Sequence, residues 1–286
     1  MKLFELSDYV DVLAAVGEAD LDLIMVGGNA VSFYAEKYRL TCSELIPLLP
    51  VLSKDTDWLG SVESGMKLAN RLQANWKQNP RKGGMLGLSL GHVELPGRPE
   101  VKVEILGHIL GADSQKVRET ALSENYEGHR FRVISPFLLY EAKGTNLVRI
   151  PQRTETRTRE DFKQFTVMGF VVREVLRELA VRADAERALL KACNRLADFW
   201  LSTEGVILVR AGVTNPRQVL PMVELERHSG TSVQNFITKG LPQFERQLAV
   251  CLDTMDERTL EKLRREIKAS ETHERTKEKA PSELGQ

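Results

Sequence analysis

Apolar positions along the chain follow two patterns. In the first half they come as short runs stopped by Gly, Pro or Asp; in the second they recur at helical spacing over long stretches. Residues 5–18 place Leu6, Tyr9, Val10, Leu13 and Val16 on one stripe, which predicts a short amphipathic helix. LDLIMVGG is a short apolar run ended by two glycines, and it reads as a buried strand entering a tight turn. NAVSFYAEKYR, residues 29–39, reads as a helix with Asn29 as its cap. TCSELIPLLPVL reads as one helical turn and a proline-bounded approach to the next strand, KDTDWLG. Residues 61–76 read as a helix behind Ser61, and QNPRKGG as a loop. MLGLSLGHVELPG and RPEVKVEILGHIL read as two strands joined near Pro96-Gly97. In the second of these, Val101, Val103 and Ile105 form one face, and Lys102, Glu104 and Leu106 the other. HRFRVIS supplies a further strand.

From Pro136 the character changes. SPFLLYEAKGTNLVR is helical, and so are long stretches at 155–180, 184–201 and 232–268. The pattern therefore predicts an α/β domain over 1–135, a helical domain over 136–268 and a polar tail over 269–286. The tail has no core-forming run and is expected to be disordered. There is no internal repeat.

Composition adds mostly exclusions. At 286 residues, 42% hydrophobic and 28% charged, the chain has ample material for a folded core. No stretch is apolar for long enough to span a membrane. The N-terminus carries acids throughout and has no clean apolar segment, so a cytoplasmic location is expected. Cys42, Cys193 and Cys251 are odd in number and far apart, which fits a reducing compartment and gives no zinc spacing. Net charge is zero, so a nucleic-acid surface would have to come from a local patch. Arg149, Arg153, Arg157 and Arg159 form one candidate. Glu155, Glu160 and Asp161 sit among them, so an ordinary charged surface stays open as the alternative.

Three features carry candidate chemistry. Gly27-Gly28 lies where a strand opens into a helix; glycines there allow close approach of a ligand, and the helix start offers free N–H groups to phosphate. The pair is neither a P-loop nor a dinucleotide fingerprint. Asp55 and Asp57, in SKDTDWLG, fall on one face of a strand, ~6–7 Å apart by strand rise. Like charges so placed are costly without a cation between them, and paired carboxylates are the usual ligands of Mg²⁺. Glu104, in VKVEILG, is an acid on a later strand. Read singly, each has a bland alternative: a structural glycine turn, a solvated acid pair, a solvent-facing glutamate.

Taken in order, Val26-Gly27-Gly28, Asp55-Thr56-Asp57-Trp58 and Val103-Glu104-Ile105 resemble the polymerase-beta-like nucleotidyltransferase superfamily. Within it, VGGNAVSFYAEKYR and SKDTDWL look most like the abortive-infection AbiE-type toxins and the minimal nucleotidyltransferases, with Lys143 and the Arg159/Asp161 pair in RTRED standing where that group has a lysine and a basic-acidic segment. The chain departs from the pattern in three places: Asn29 follows Gly-Gly in place of Ser or Thr, RLTCSELIPLLPV lengthens the gap to Asp55, and the third acid is Glu. The resemblance implies an α/β (α+β) core with a mixed sheet flanked by helices, followed by a helical domain. It implies Asp55, Asp57 and Glu104 as catalytic metal ligands for Mg²⁺ or Mn²⁺. It further implies Gly27, Gly28, Asn29 and Lys143 as nucleotide-binding residues, and Arg159 and Asp161 as substrate or phosphate contacts. The implied activity is transfer of an NMP from an NTP to a hydroxyl, such as an RNA (tRNA 3′) end, by a toxin with a cognate antitoxin. An inactive NTP-binding or interaction module is the alternative.

Overall fold

The computed structural model describes residues 3–79, 89–98, 101–150, 155–182, 184–254 and 261; the side chains of 155–159 are outside that description. The chain divides into two compact units, Met1–Lys143 with Val167–Val175, and Gly144–Thr166 with Leu176–Gln286.

The first unit carries a seven-stranded mixed sheet in the order β3-β4-β5-β2-β1-β7-β6. Its strands are β1 (Ile24–Val26), β2 (Asp55–Leu59), β3 (Asn75–Gln78), β4 (Ser89–Glu94), β5 (Lys102–Leu106), β6 (Leu122–Tyr126) and β7 (His129–Val133). β2 pairs antiparallel with β1 and parallel with β5, and β1 pairs parallel with β7. The helices are α1 (Val10–Glu18, after a 3-10 turn at Leu6–Tyr9), α2 (Gly27–Tyr38), α3 (Val62–Arg71), α4 (Ser114–Thr120) and α5 (Pro136–Arg149). The last of these runs past the division at Lys143.

Strand alternation follows the sequence pattern. Val101, Val103 and Ile105 are fully buried, whereas Lys102 is exposed and Glu104 half-buried. On β2, Thr56 and Trp58 are both 0% exposed and share the face of Val103 and Ile105 through the parallel register. α3 packs on this face, where Gly65 leaves no room for a Cβ against the Trp76 ring and Ile105. α2 brings Phe33 edge-on to Phe131 of β7, with ring centroids 5.2 Å apart.

Four local readings are corrected. The helix expected over 61–76 stops at Arg71. Gln73 enters the left-handed region at φ +50, Gln73 N donates to Asn70 O and Ala74 N to Ala69 O, which is a Schellman stop with Gln in the usual Gly place. Residues Asn75–Gln78 then pair with β4 as an edge strand. Asn29 is not a cap: α2 begins at Gly27, behind Val26, and Asn29 is its third residue. α4 and β6 were not anticipated. β6 joins β7 through Glu127 and Gly128, whose φ values of +50 and +86 suit a two-residue hairpin turn. Finally, the helix expected over 232–268 runs from Thr231 to Asp253 through a π-helical turn and is capped at Thr254.

In the second unit, α6 (Glu155–Ala180, of which Val167–Val175 belongs to the first unit), α7 (Glu186–Leu201) and α8 (Thr203–Arg210) are followed by short helices α9 (Pro216–Val219), α10 (Met222–Arg227) and α11 (Thr231–Asn235). A π-helical turn at Phe236–Gly240 separates α11 from α12 (Leu241–Asp253). Trp200 and Phe244 pack with ring centroids 5.9 Å apart. The tail expected over 269–286 lies outside the described residues. No helix among the described residues is long and apolar enough to cross a membrane.

Candidate metal centre

The face of β2 and β5 opposite Trp58 gathers three acids. The parallel register sets Asp57 beside Glu104, and Asp55 lies two residues before Asp57 on the same face. One carboxylate oxygen from each of Asp55, Asp57 and Glu104 lies within 4.8 Å of the others. Asp55 is 6% exposed, and the other two are half-buried.

Gly27 explains how Asp57 fits. The first antiparallel pairing puts Val26 opposite Asp57, and the next residue, Gly27, turns at φ +67. A Cβ at Gly27 would intrude on the Asp57 side chain, 2.8 Å from its Cγ and 2.9 Å from its Cβ. The glycine therefore makes room for the protein's own carboxylate, a reason for its presence that spacing alone does not provide. Gly28 and Asn29 follow in the first turn of α2, both buried, and the Asn29 amide has no hydrogen-bond partner for either polar atom among the described residues.

The electrostatics are those of crowded acids. Burial, then the charges of Asp55 and Glu104, hold the Asp57 carboxyl well above its ordinary range, with Lys143 and Lys54 opposing. Burial and Asp55 also push Glu104 up, against Lys54, His92 and Lys102. Lys54 Nζ lies 2.9 Å from Asp55 Oδ2. Lys143 of α5 is buried within the same unit, in electrostatic reach of Asp57. Desolvated like charges at this separation are relieved either by protonation or by a cation. Three carboxylate oxygens within 4.8 Å of one another fit a hard divalent cation and are chemically unsuited to a soft one.

Of the other residues singled out from sequence, Asp161 is half-buried on α6 in the second unit, and the Arg159 side chain is outside the described residues. In the basic cluster, Arg149 pairs with Glu204 through an Nε–Oε1 hydrogen bond of 2.6 Å, and Arg153 and the Arg157 side chain are outside the described residues.

Sequence reasoning missed three neighbours of the acids. Lys54 stands next to Asp55 in the chain and was within reach of a sequence reading. His92 faces Glu104 across the β4–β5 pair, with its Nε2 3.5 Å from Glu94 Oε1, a relation that needs the register. Tyr9 lies far away in sequence, yet its phenol is pushed above its ordinary range by burial and by the charges of Asp55 and Asp57.

No protein-family model matches the chain, and no curated protein does. Among solved structures, the chain is similar to an antigenic nucleotidyltransferase-like protein from Paracoccidioides brasiliensis, at 16% identity and a TM-score of 0.34, over 68% of this chain and 88% of that one. At that distance the likeness says nothing of the chemistry at the three acids.

Proposed function

We propose that the protein is a metal-dependent nucleotidyltransferase that moves an NMP from an NTP to a hydroxyl acceptor. The observation that carries this reading is the gathering of Asp55, Asp57 and Glu104, oxygens within 4.8 Å, beside the Gly27-Gly28 turn at a helix start. Asp55, Asp57 and Glu104 would hold Mg²⁺ or Mn²⁺. Such an ion, when bound, offsets the charge of the phosphates and of the departing pyrophosphate. The first turn of α2 presents unsatisfied backbone N–H groups to the triphosphate. The Asn29 amide, unpartnered among the described residues, is a further donor there. Lys143, whose charge acts on Asp57, balances negative charge at the site. Glu104 takes the proton of the acceptor hydroxyl as the new O–P bond forms. The bond between the α-phosphorus and the bridging oxygen breaks, and pyrophosphate leaves with that electron pair.

The acceptor we propose is an RNA 3′ hydroxyl, in keeping with the resemblance to AbiE-type toxins, and a cognate antitoxin follows from the same resemblance. One observation favours a second reading, a silent nucleotide-binding module: Lys54 already lies 2.9 Å from Asp55 and offsets part of the charge a cation would balance. Incubating the protein with each labelled NTP, Mg²⁺ and total RNA, beside Asp57→Ala, separates the two. Label reaching RNA in the wild type alone supports transfer. Metal-dependent NTP binding with no label transferred to any acceptor supports the silent module.

A further inference from the structure

The face that carries the three acids continues across the sheet to its β3 edge. The pairing registers set Asp57 beside Glu104, Glu104 beside His92 of β4, and His92 beside Lys77 of β3. Paired residues share a face, so these four side chains form one row across four strands, and Lys77 stands two strand spacings, roughly 10 Å, beyond Glu104. The adjoining row runs Asp55, Lys102, Glu94 and Asn75. Trp76 fixes the parity, because its ring lies against Gly65 on the packed face. The charge changes sign along these rows. Acids stand over β2 and the middle of β5, whereas Lys102, His92 and Lys77 lead outward from them. The Lys77 side chain is 59% exposed and Lys102 is exposed, so the outer part of the face is open to solvent. One acid stands among these groups. Glu94 Oε1 lies 2.6 Å from Lys77 Nζ and 3.5 Å from His92 Nε2. Its carboxylate therefore sits where both groups would meet a phosphate oxygen. Lys102 is directly opposite Glu94 on β5, close enough to take over that carboxylate.

We propose that the outer face of β5, β4 and β3 receives the acceptor strand, with the acceptor's hydroxyl end at Glu104 and the phosphodiester behind it displacing Glu94 from Lys77 and His92. This rests on the reading of the acids as a transferase centre, and it assigns a phosphodiester backbone, that of a single-stranded RNA, as the chemistry bound there. Charge complementarity carries the inference. An anionic strand is repelled by bare carboxylates, so cations must flank them on the side from which the strand arrives, and the two rows supply cations on the β3 side. Glu94 keeps Lys77 and His92 partnered in the free protein. On exchange it turns to Lys102, so no charge is left alone. An exposed ion pair is worth little, whereas a lysine that meets a phosphate also releases counterions from the strand, so the exchange favours the bound state.

Fluorescence anisotropy tests this with the full chain, Mg²⁺ and a short unstructured RNA labelled at its 5′ end, over a series of salt concentrations. Lys77→Gln is expected to weaken binding about threefold and to lower the slope of log K against log salt by about 0.7, the mark of one lost phosphate contact on a single strand. Glu94→Gln is expected to tighten binding about twofold or more, because it frees Lys77 and removes a repelling charge. Lys67→Gln is the control. Lys67 is an exposed residue of α3, which packs on the opposite face, and its loss changes net charge by the same amount as that of Lys77. It should leave binding as in the wild type. All three sites are on the surface, so the thermal midpoints should agree with that of the wild type. Equal weakening by Lys77→Gln and Lys67→Gln overturns the inference, and so does a Glu94→Gln variant that binds no tighter. Mn²⁺ titration of the wild type separates this inference from the reading beneath it. A wild type that binds Mn²⁺ but no RNA overturns the inference alone and sends the acceptor to another class. A wild type that binds RNA but no Mn²⁺ overturns the reading of the acids, and with it the place given to the acceptor hydroxyl.

Discussion

On one face of β2 and β5, Thr56, Trp58, Val103 and Ile105 are all 0% exposed, and Ile105 meets α3 at Gly65. On the other, reached by moving one residue along either strand, Asp55, Asp57 and Glu104 stand with oxygens within 4.8 Å of one another. The first face releases free energy on folding by removing apolar surface from water. The second opposes folding, because it desolvates charges of one sign side by side. The same backbone hydrogen bonds fix both, so the packed face holds in place an arrangement that the acids by themselves would disperse. Substitutions on the two faces should therefore differ in kind as well as in size.

The largest effect is expected on the packed face. Trp58→Ala removes one of the two largest fully buried side chains and should cost about 3–5 kcal/mol of stability, read from urea unfolding. The surviving folded molecules should still bind a divalent cation. Gly27→Ala comes next. Its methyl group would collide with Asp57, and its φ of +67 disfavours any side chain, so a loss of about 1–3 kcal/mol is expected. Unlike Trp58→Ala, it should also weaken cation binding by about tenfold or more, because the displaced group is one of the proposed ligands. Calorimetric titration with Mn²⁺ distinguishes the two.

A pH series probes the acid face directly. Asp57 and Glu104 both have proton affinities raised by folding. The folded chain therefore binds more protons than the unfolded one, and their contribution to stability is complete below about pH 4 and is lost as pH rises through the folded-state values. The metal-free protein should lose this contribution with rising pH, and saturating Mn²⁺ should reverse the trend. The smallest effect is expected for Ile105→Val, about 0.5–1.5 kcal/mol with no change in cation binding.

The strands of the site were legible because alternation and turn residues are local signals. Val103 and Ile105 point inward and Glu104 outward by simple parity, and the apolar run before Gly27-Gly28 could be little else. The edge strand β3 was not legible, since Trp76 continues the helical periodicity of α3, and only the left-handed turn at Gln73 breaks it. The hairpin turn at Glu127-Gly128 lacks the Asn that usually announces one. At the site, the three acids were found by their order along the chain. Their convergence depends on β5 lying beside β2, although Glu104 comes 47 positions after Asp57 in the sequence. His92 joins them only through the β4–β5 register, which no periodicity reports. The part of Gly27 that sequence could not supply is its neighbour: it reads as a phosphate turn, and its Cα faces Asp57.

The central claim is that the acid face exists to hold a divalent cation. Mn²⁺ titration of the wild type beside Asp57→Asn, with thermal unfolding of both, tests it most directly. The wild type should bind Mn²⁺ and melt higher with it. The variant should bind little or none, and without metal it should melt above the wild type, because a buried repelling charge has been removed. Equal binding by the two, or no binding by the wild type, would contradict the claim.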